Sequence, residues 1–136
     1  MIITIEPQKK LAEISDAFSA VYPFLKLEFF SRSHGWLESS DWTHKLNKNM
    51  NVTEANNNHK NSGYIEIHYW QKTGIVELKF LKQFNLSVQI YRKFNDHWIQ
   101  TSGTDDLSLE EQNESGMLSS KNNIGHARFS DLEKDI

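Results

Sequence analysis

The alternation of apolar and polar positions divides the first hundred residues into two similar stretches. Ile2-Ile3-Thr4-Ile5 reads as a short strand. From Lys10 to Tyr22 the period lengthens: Leu11, Ile14, Phe18 and Val21 fall on one helical stripe, with Lys10, Glu13, Asp16 and Ser19 mostly off it. Pro23 stops that helix, because proline has no N–H to donate and disfavours helix at the residue before it. Leu25 to Phe30 returns to strand alternation.

The pattern recurs about 62 residues later. Ile65-Glu66-Ile67-His68-Tyr69 alternates as a strand. Thr73 is a candidate cap for a helix whose stripe is Ile75, Leu78, Leu81 and Phe84. Asn85 stands where a left-handed C-terminal residue is wanted, and Leu86 to Tyr91 is the next strand. Asn95-Asp96 predicts a two-residue hairpin with positive φ angles, and Trp98 to Thr101 pairs back as an edge strand. Ser108-Leu109-Glu110-Glu111 is a capping box for a short helix from Leu109 to about Ser115, ended by Gly116.

Two tandem βαβ units predict an α+β fold, a ferredoxin-like two-layer sandwich with one sheet, two helices on one face and an extra edge strand. A different strand order in an α+β sheet is the competing architecture, because the pattern does not fix that order. The two units align with Glu13 and Glu77 in register, which duplication and chance explain equally well. Residues 1–116 are expected to form one domain, interrupted by a long loop at 47–63 with seven asparagines and one short helical turn near Val52–Ala55. Residues 117–136 are expected to be an acidic polar tail, flexible or loosely docked.

Composition sharpens this division. The chain has 136 residues, no cysteine and a net charge of −3, so disulfides, Cys-zinc sites, iron–sulfur clusters and thiol catalysis are excluded. Residues 1–102 hold 12 basic and 10 acidic side chains, whereas 103–136 hold 3 and 8, so the negative balance belongs to the C-terminal part. A mean hydropathy of −0.63 with 12% aromatics implies a modest core in a polar chain. No signal peptide is read in MIITIEPQKK, and no apolar run approaches the roughly 20 residues of a membrane span. A cytoplasmic protein with no membrane association is therefore expected.

The stretches Tyr22 to Phe30, Gly63 to Ile67, Phe84 to Lys93 and Thr104 to Gly116 (TDDLSLEEQNESG) resemble a group of small uncharacterised bacterial proteins of Bacteroidetes type. The resemblance covers about residues 1–116. It implies a single cytosolic domain and brings no activity, cofactor or catalytic residue. An aromatic often stands in such proteins where this chain has Leu107.

Candidate chemistry is sparse. The six histidines, His34, His44, His59, His68, His97 and His126, show neither i,i+4 helical pairing nor HExxH. His34 and His44 flank Trp36 and Trp42, and with Asp41 they are a conceivable site, but solvent-exposed loop histidines are the simpler reading. Asp105 and Asp106, near Glu110 and Glu111, suit either a hard cation or a helix N-terminus, and the dipole reading is favoured. No catalytic residue, metal ligand or cofactor-binding residue is assigned. An enzyme using a small molecule or a metal would need a site built from residues distant in sequence.

Strand alternation suggests a surface instead. Ile3, Ile5, Leu25, Leu27, Phe29, Ile65, Ile67, Val88 and Ile90 fall on the helix-covered side. Lys26, Glu28, Phe30, Glu66, His68, Trp70, Gln89 and Tyr91, with Thr4, fall on the other. That mixture of aromatic and polar groups fits a contact face for a protein partner or a second copy. The alternatives are covering by the long loop or the tail, with Trp36, Trp42 and Phe129 available to pack there, and single-stranded nucleic acid stacking on Phe30, Trp70 and Tyr91. Glu28 and Glu66 on that face, and the acidic total, argue against nucleic acid.

Overall fold

A computed structural model of the chain describes residues 1–31, 35 and 38–129, with 121–129 as helix backbone only. The fold is α+β, with the ferredoxin-like βαβ arrangement and the extra strand. The first unit is β1 (Ile2–Ile5), α1 (Leu11–Val21) and β2 (Leu25–Phe30). A connection holding α2 (Val52–Ala55) leads to β3 (Gly63–Glu66), α3 (Thr73–Phe84), β4 (Ser87–Phe94) and β5 (His97–Gln100). α4 (Leu109–Phe129) follows. Corresponding strands of the two units pair antiparallel: β1 with β3, and β2 with β4, which also carries β5.

The expected single sheet is thus two ladders, and the edge of β2 shows why. Its outward carbonyls are already occupied. Ser19 Oγ donates to the Leu25 carbonyl at 2.9 Å, Ser15 Oγ to Leu27 at 3.0 Å, and the Leu46 N–H to Phe29 at 2.8 Å. Beyond the end of β5, the edge of β4 is closed in the same manner. Thr101 Oγ1 donates to the Ile90 carbonyl at 2.8 Å, and Glu77 Oε2 accepts the Ile90 N–H at 2.8 Å. Side chains of α1 and α3 stand where a further strand would need backbone partners.

The inward residues read from alternation are all buried: Ile3, Ile5, Leu25, Leu27, Phe29, Ile65, Ile67, Val88 and Ile90. α3 is rotated relative to its expected stripe, whereas α1 keeps Leu11, Ile14 and Phe18 buried and departs only at its last turn. Val21 is exposed, and the next residue, Tyr22, is buried in its place. In α3 the buried positions are Thr73, Gly74, Val76, Glu77, Phe80 and Phe84, while Ile75 and Leu78 face out. The reason is Glu77. Its bond to β4 turns a polar side chain inward and displaces the all-apolar stripe. Lys72, not Thr73, stands at the N-cap; Thr73 donates from N and Oγ1 to the Leu107 carbonyl.

The asparagine-rich connection is built rather than loose. α2 forms where one helical turn was expected, with a capping box between Asn51 and Glu54, and Val52 is wholly buried. Burial of that side chain stabilises the connection by roughly 1.5–3 kcal/mol. Asn57, Asn58, Asn85 and Asn95 take positive φ, where asparagine is better tolerated than most residues. Asn85 ends α3 as expected. In the β4–β5 hairpin only Asn95 of the two loop residues has positive φ.

α4 begins at the expected capping box, with Ser108 N donating to Glu111 Oε1 and Glu111 N to Ser108 Oγ. It does not stop at Gly116. It continues to Phe129, crossing the anticipated boundary between domain and tail, and Ser119 Oγ accepts the Asn95 N–H at 2.6 Å. The expectation for residues 130–136 lies outside the described residues. The motif at 104–116 is a clasp. Leu109 is buried, Gln112 joins Thr104 to Arg92, and Asn113 Oδ1 accepts the Phe24 N–H. Gly116 is a close-approach position: an added Cβ would lie 2.8 Å from Phe24 Cβ and 3.1 Å from the Phe24 carbonyl. Gly116→Ala is expected to destabilise the protein by about 1–3 kcal/mol through overpacking, despite alanine's higher helix propensity. Urea denaturation measures this, and an unchanged or raised midpoint would contradict the clasp.

Candidate functional site

The eight surface residues do not form one open face. The structure separates them into two groups on different ladders. Lys26, Glu28, Phe30, Gln89 and Tyr91 belong to the β2–β4–β5 ladder, where Lys26 pairs with Tyr91 and Glu28 with Gln89. Glu66 ends β3, and His68 and Trp70 lie in the turn beyond it.

The first group is largely covered. Glu28, Phe30 and Gln89 are buried. The cover comes mainly from the segment that follows β2, and Lys48 of the 47–63 loop also reaches Glu28. Ser40 Oγ donates to Gln89 Oε1 at 3.2 Å, and Ser40 also exchanges two backbone bonds with the Gln100 amide. Lys45 bridges Phe30. Trp42 does not pack there and is 74% exposed. Trp36 and His34 lie outside the described residues, as does the side chain of Phe129, so the roles expected of them lie there too. Asp41 accepts from Thr43 N and Oγ1, and His44 Nε2 lies 4.0 Å from its carboxylate.

Glu28 is the centre of this group. Its side chain is 4% exposed, and three ammonium groups converge on one oxygen, Oε2: Lys26 at 3.2 Å, Lys48 at 3.3 Å and Lys45 at 3.5 Å. Oε1 is buried and has no hydrogen-bond partner among the described residues. A buried carboxylate needs a counter-charge, which explains one lysine and not three. Lys26 also lies over two rings of the same face, 4.9 Å from the centroid of Trp98 and 5.5 Å from that of Tyr91, and Lys93 lies 5.1 Å from Trp98. Burial raises the Tyr91 phenol pKa, the Glu28 charge adds to this, and a Gln100 hydrogen bond opposes it. Sequence reasoning missed Lys45, Lys48, Lys93 and Trp98. Lys93 and Trp98 continue the β4 and β5 alternation and were legible; the two loop lysines carried no signal.

The second group is open. Trp70 is 61% exposed and stacks on His68, with ring centroids 5.1 Å apart and an interplanar angle of 6°. Glu66 Oε2 lies 3.4 Å from His68 Nε2. Tyr69 is exposed, as are Ile2 and Tyr64 on the outward face of β1–β3. The N-terminus of α4 supports this turn, because Leu109 N donates to the Gln71 carbonyl and Glu110 N to that of Tyr69.

A third cluster, buried, lies behind β4. Asp105 is fully buried, and its carbonyl accepts the Gly74 N–H at the start of α3. Glu77 Oε2 also accepts from Gln89 Nε2 at 3.1 Å. Desolvation holds the Glu77 carboxyl well above its ordinary value of 4.5; the Ile90 N–H opposes this and the Asp105 charge reinforces it. Among the described residues no group of three His, Cys, Asp or Glu is placed to hold a metal ion. A cleft of about 400 Å³ lined by Phe30, Ser31, Ala55, Asn57, Leu81, Asn85 and Ser87 has no ionisable side chain among the described residues. Among the described residues no helix is long and apolar enough to cross a membrane.

Comparison with protein-family models, curated proteins and solved structures finds nothing that matches this chain.

A raised carboxyl pKa means that the folded chain holds a proton more tightly than the unfolded chain. The stability from this group is present below about 4.5 and is lost as pH rises through the elevated folded value. Glu77→Gln mimics the protonated acid. Relative to that variant, the wild-type denaturation midpoint is expected to fall as pH is raised from 4.5 towards neutrality. A difference that stays constant with pH would show that Glu77 titrates normally.

Proposed function

We propose that this protein acts by binding another protein, either a partner or a second copy, through the surface around Trp70. The observation that carries this reading is the exposed Trp70, held against His68 by a near-parallel stack. An indole fixed by a neighbouring ring loses little conformational freedom on binding, and tryptophan is enriched among residues that dominate interface energy. Tyr69, Tyr64 and Ile2 extend the apolar area on the same ladder and its following turn. Glu66 and His68 supply polar groups beside it. This contact surface is narrower than the eight-residue face suggested by strand alternation, because Glu28, Phe30 and Gln89 are covered within the chain. We place the activity in a bacterial cytoplasm, a setting that the absence of cysteine fits.

Trp70→Ala is expected to abolish self-association or partner capture while lowering stability by no more than about 1.5 kcal/mol, the upper worth of the exposed stack on His68 that it removes. Light scattering gives the solution mass, and capture from the native host compares wild type with the variant. Identical mass and identical captured proteins for both would overturn the proposal. So would a loss of stability large enough to account for lost binding.

A further inference from the structure

The three lysines around Glu28 outnumber the charge they surround. Their ammonium groups all lie within 3.5 Å of one carboxylate oxygen. Each pair is therefore closer than two such contacts laid end to end. Like charges at that spacing repel, and a single carboxylate cancels only one of them. The protein nevertheless gathers them from three places: Lys26 from β2, Lys45 from the segment bridged to Phe30, and Lys48 from the start of the asparagine-rich connection. Lys48 is positioned further by Ser15 Oγ at 3.2 Å. All three remain part exposed, at 25%, 43% and 30%, while the carboxylate beneath them is sealed.

We propose that Lys26, Lys45 and Lys48 form a binding site for a phosphate dianion. Among the described residues Glu28 organises the lysines from below and leaves two positive charges in excess, which matches the charge of a phosphate monoester near neutral pH, about −1.5 to −2. Each ammonium has three N–H donors and uses one or two of them inside the protein, so donors remain for phosphate oxygens. Tyr91 and Trp98 flank Lys26 and provide an apolar border where an aromatic ester group of a phosphorylated ligand can rest. This site is independent of the Trp70 surface.

Calorimetric titration at low salt with inorganic phosphate and with phenyl phosphate tests the site. Saturable binding of one equivalent is expected. It should weaken with added salt and as pH drops below about 6, where the monoester takes up a proton. Lys45→Gln is expected to weaken it roughly tenfold, the effect of losing one charge-assisted hydrogen bond, whereas Lys45→Arg should retain most of it. Tighter binding of phenyl phosphate assigns the site to aromatic monoesters, and equal affinities assign it to the free anion; either result supports a dianion site. Absence of saturable binding up to about 1 mM, or an affinity unchanged in a folded Lys45→Gln protein, overturns it. Preferential binding of oligothymidine lacking a terminal phosphate also overturns it, because that ligand carries only singly charged diesters.

Discussion

The antiparallel pairing of β2 with β4, its outer edges completed by β5, by side chains and by loop backbone, is the constraint on which the rest of this fold depends. A strand edge buried without partners is costly, since each lost backbone hydrogen bond leaves a desolvated donor or acceptor. Here Ser15 and Ser19 of α1 and Leu46 N complete β2, and Glu77 and Thr101 complete β4. The pairing therefore fixes where both helices sit, and it confines β1 and β3 to a ladder of their own.

The electrostatic features follow from that geometry. Glu77 must approach β4 to reach the Ile90 N–H, and doing so removes its carboxyl from water. Glu28 lies on the other side of the same ladder, paired with Gln89, whose amide also reaches Glu77. Gln89 thus stands opposite one buried carboxylate in the ladder and bonds to the other, an arrangement that sequence alternation gives no reason to expect. Their environments differ: Glu77 is near another acid, Asp105, whereas Glu28 is ringed by lysines. One buried acid is pushed towards neutrality, and the other is matched by more positive charge than it needs.

The segment TDDLSLEEQNESG shows how a distinctive run of residues can be wholly occupied by structure. Ser108 and Glu111 cap α4, Gln112 ties Thr104 to Arg92 of β4, the Leu107 carbonyl holds Thr73 of α3, Leu109 is buried, and Asn113 and Gly116 meet Phe24 just before β2. The capping box was legible because both halves lie within four residues. The role of Gly116 was not: a glycine that ends a helix and one that admits a neighbouring chain look alike until Phe24 is placed beside it.

The sequence by itself determined the local elements: strand and helix periods, the turn at Val52–Ala55, the left-handed Asn85, and the inward set from Ile3 to Ile90. These depend on neighbours within a few residues, where alternation and capping act. It did not determine strand pairing, the rotation of α3 or the cover over Glu28 and Phe30. Those depend on contacts such as Ser15 to Leu27, Glu77 to Ile90 and Ser40 to Gln89. An exposed face and a covered one have the same alternation. Only the tertiary structure decides which polar side chains turn inward, because that choice is set by backbone groups far along the chain that must find a partner.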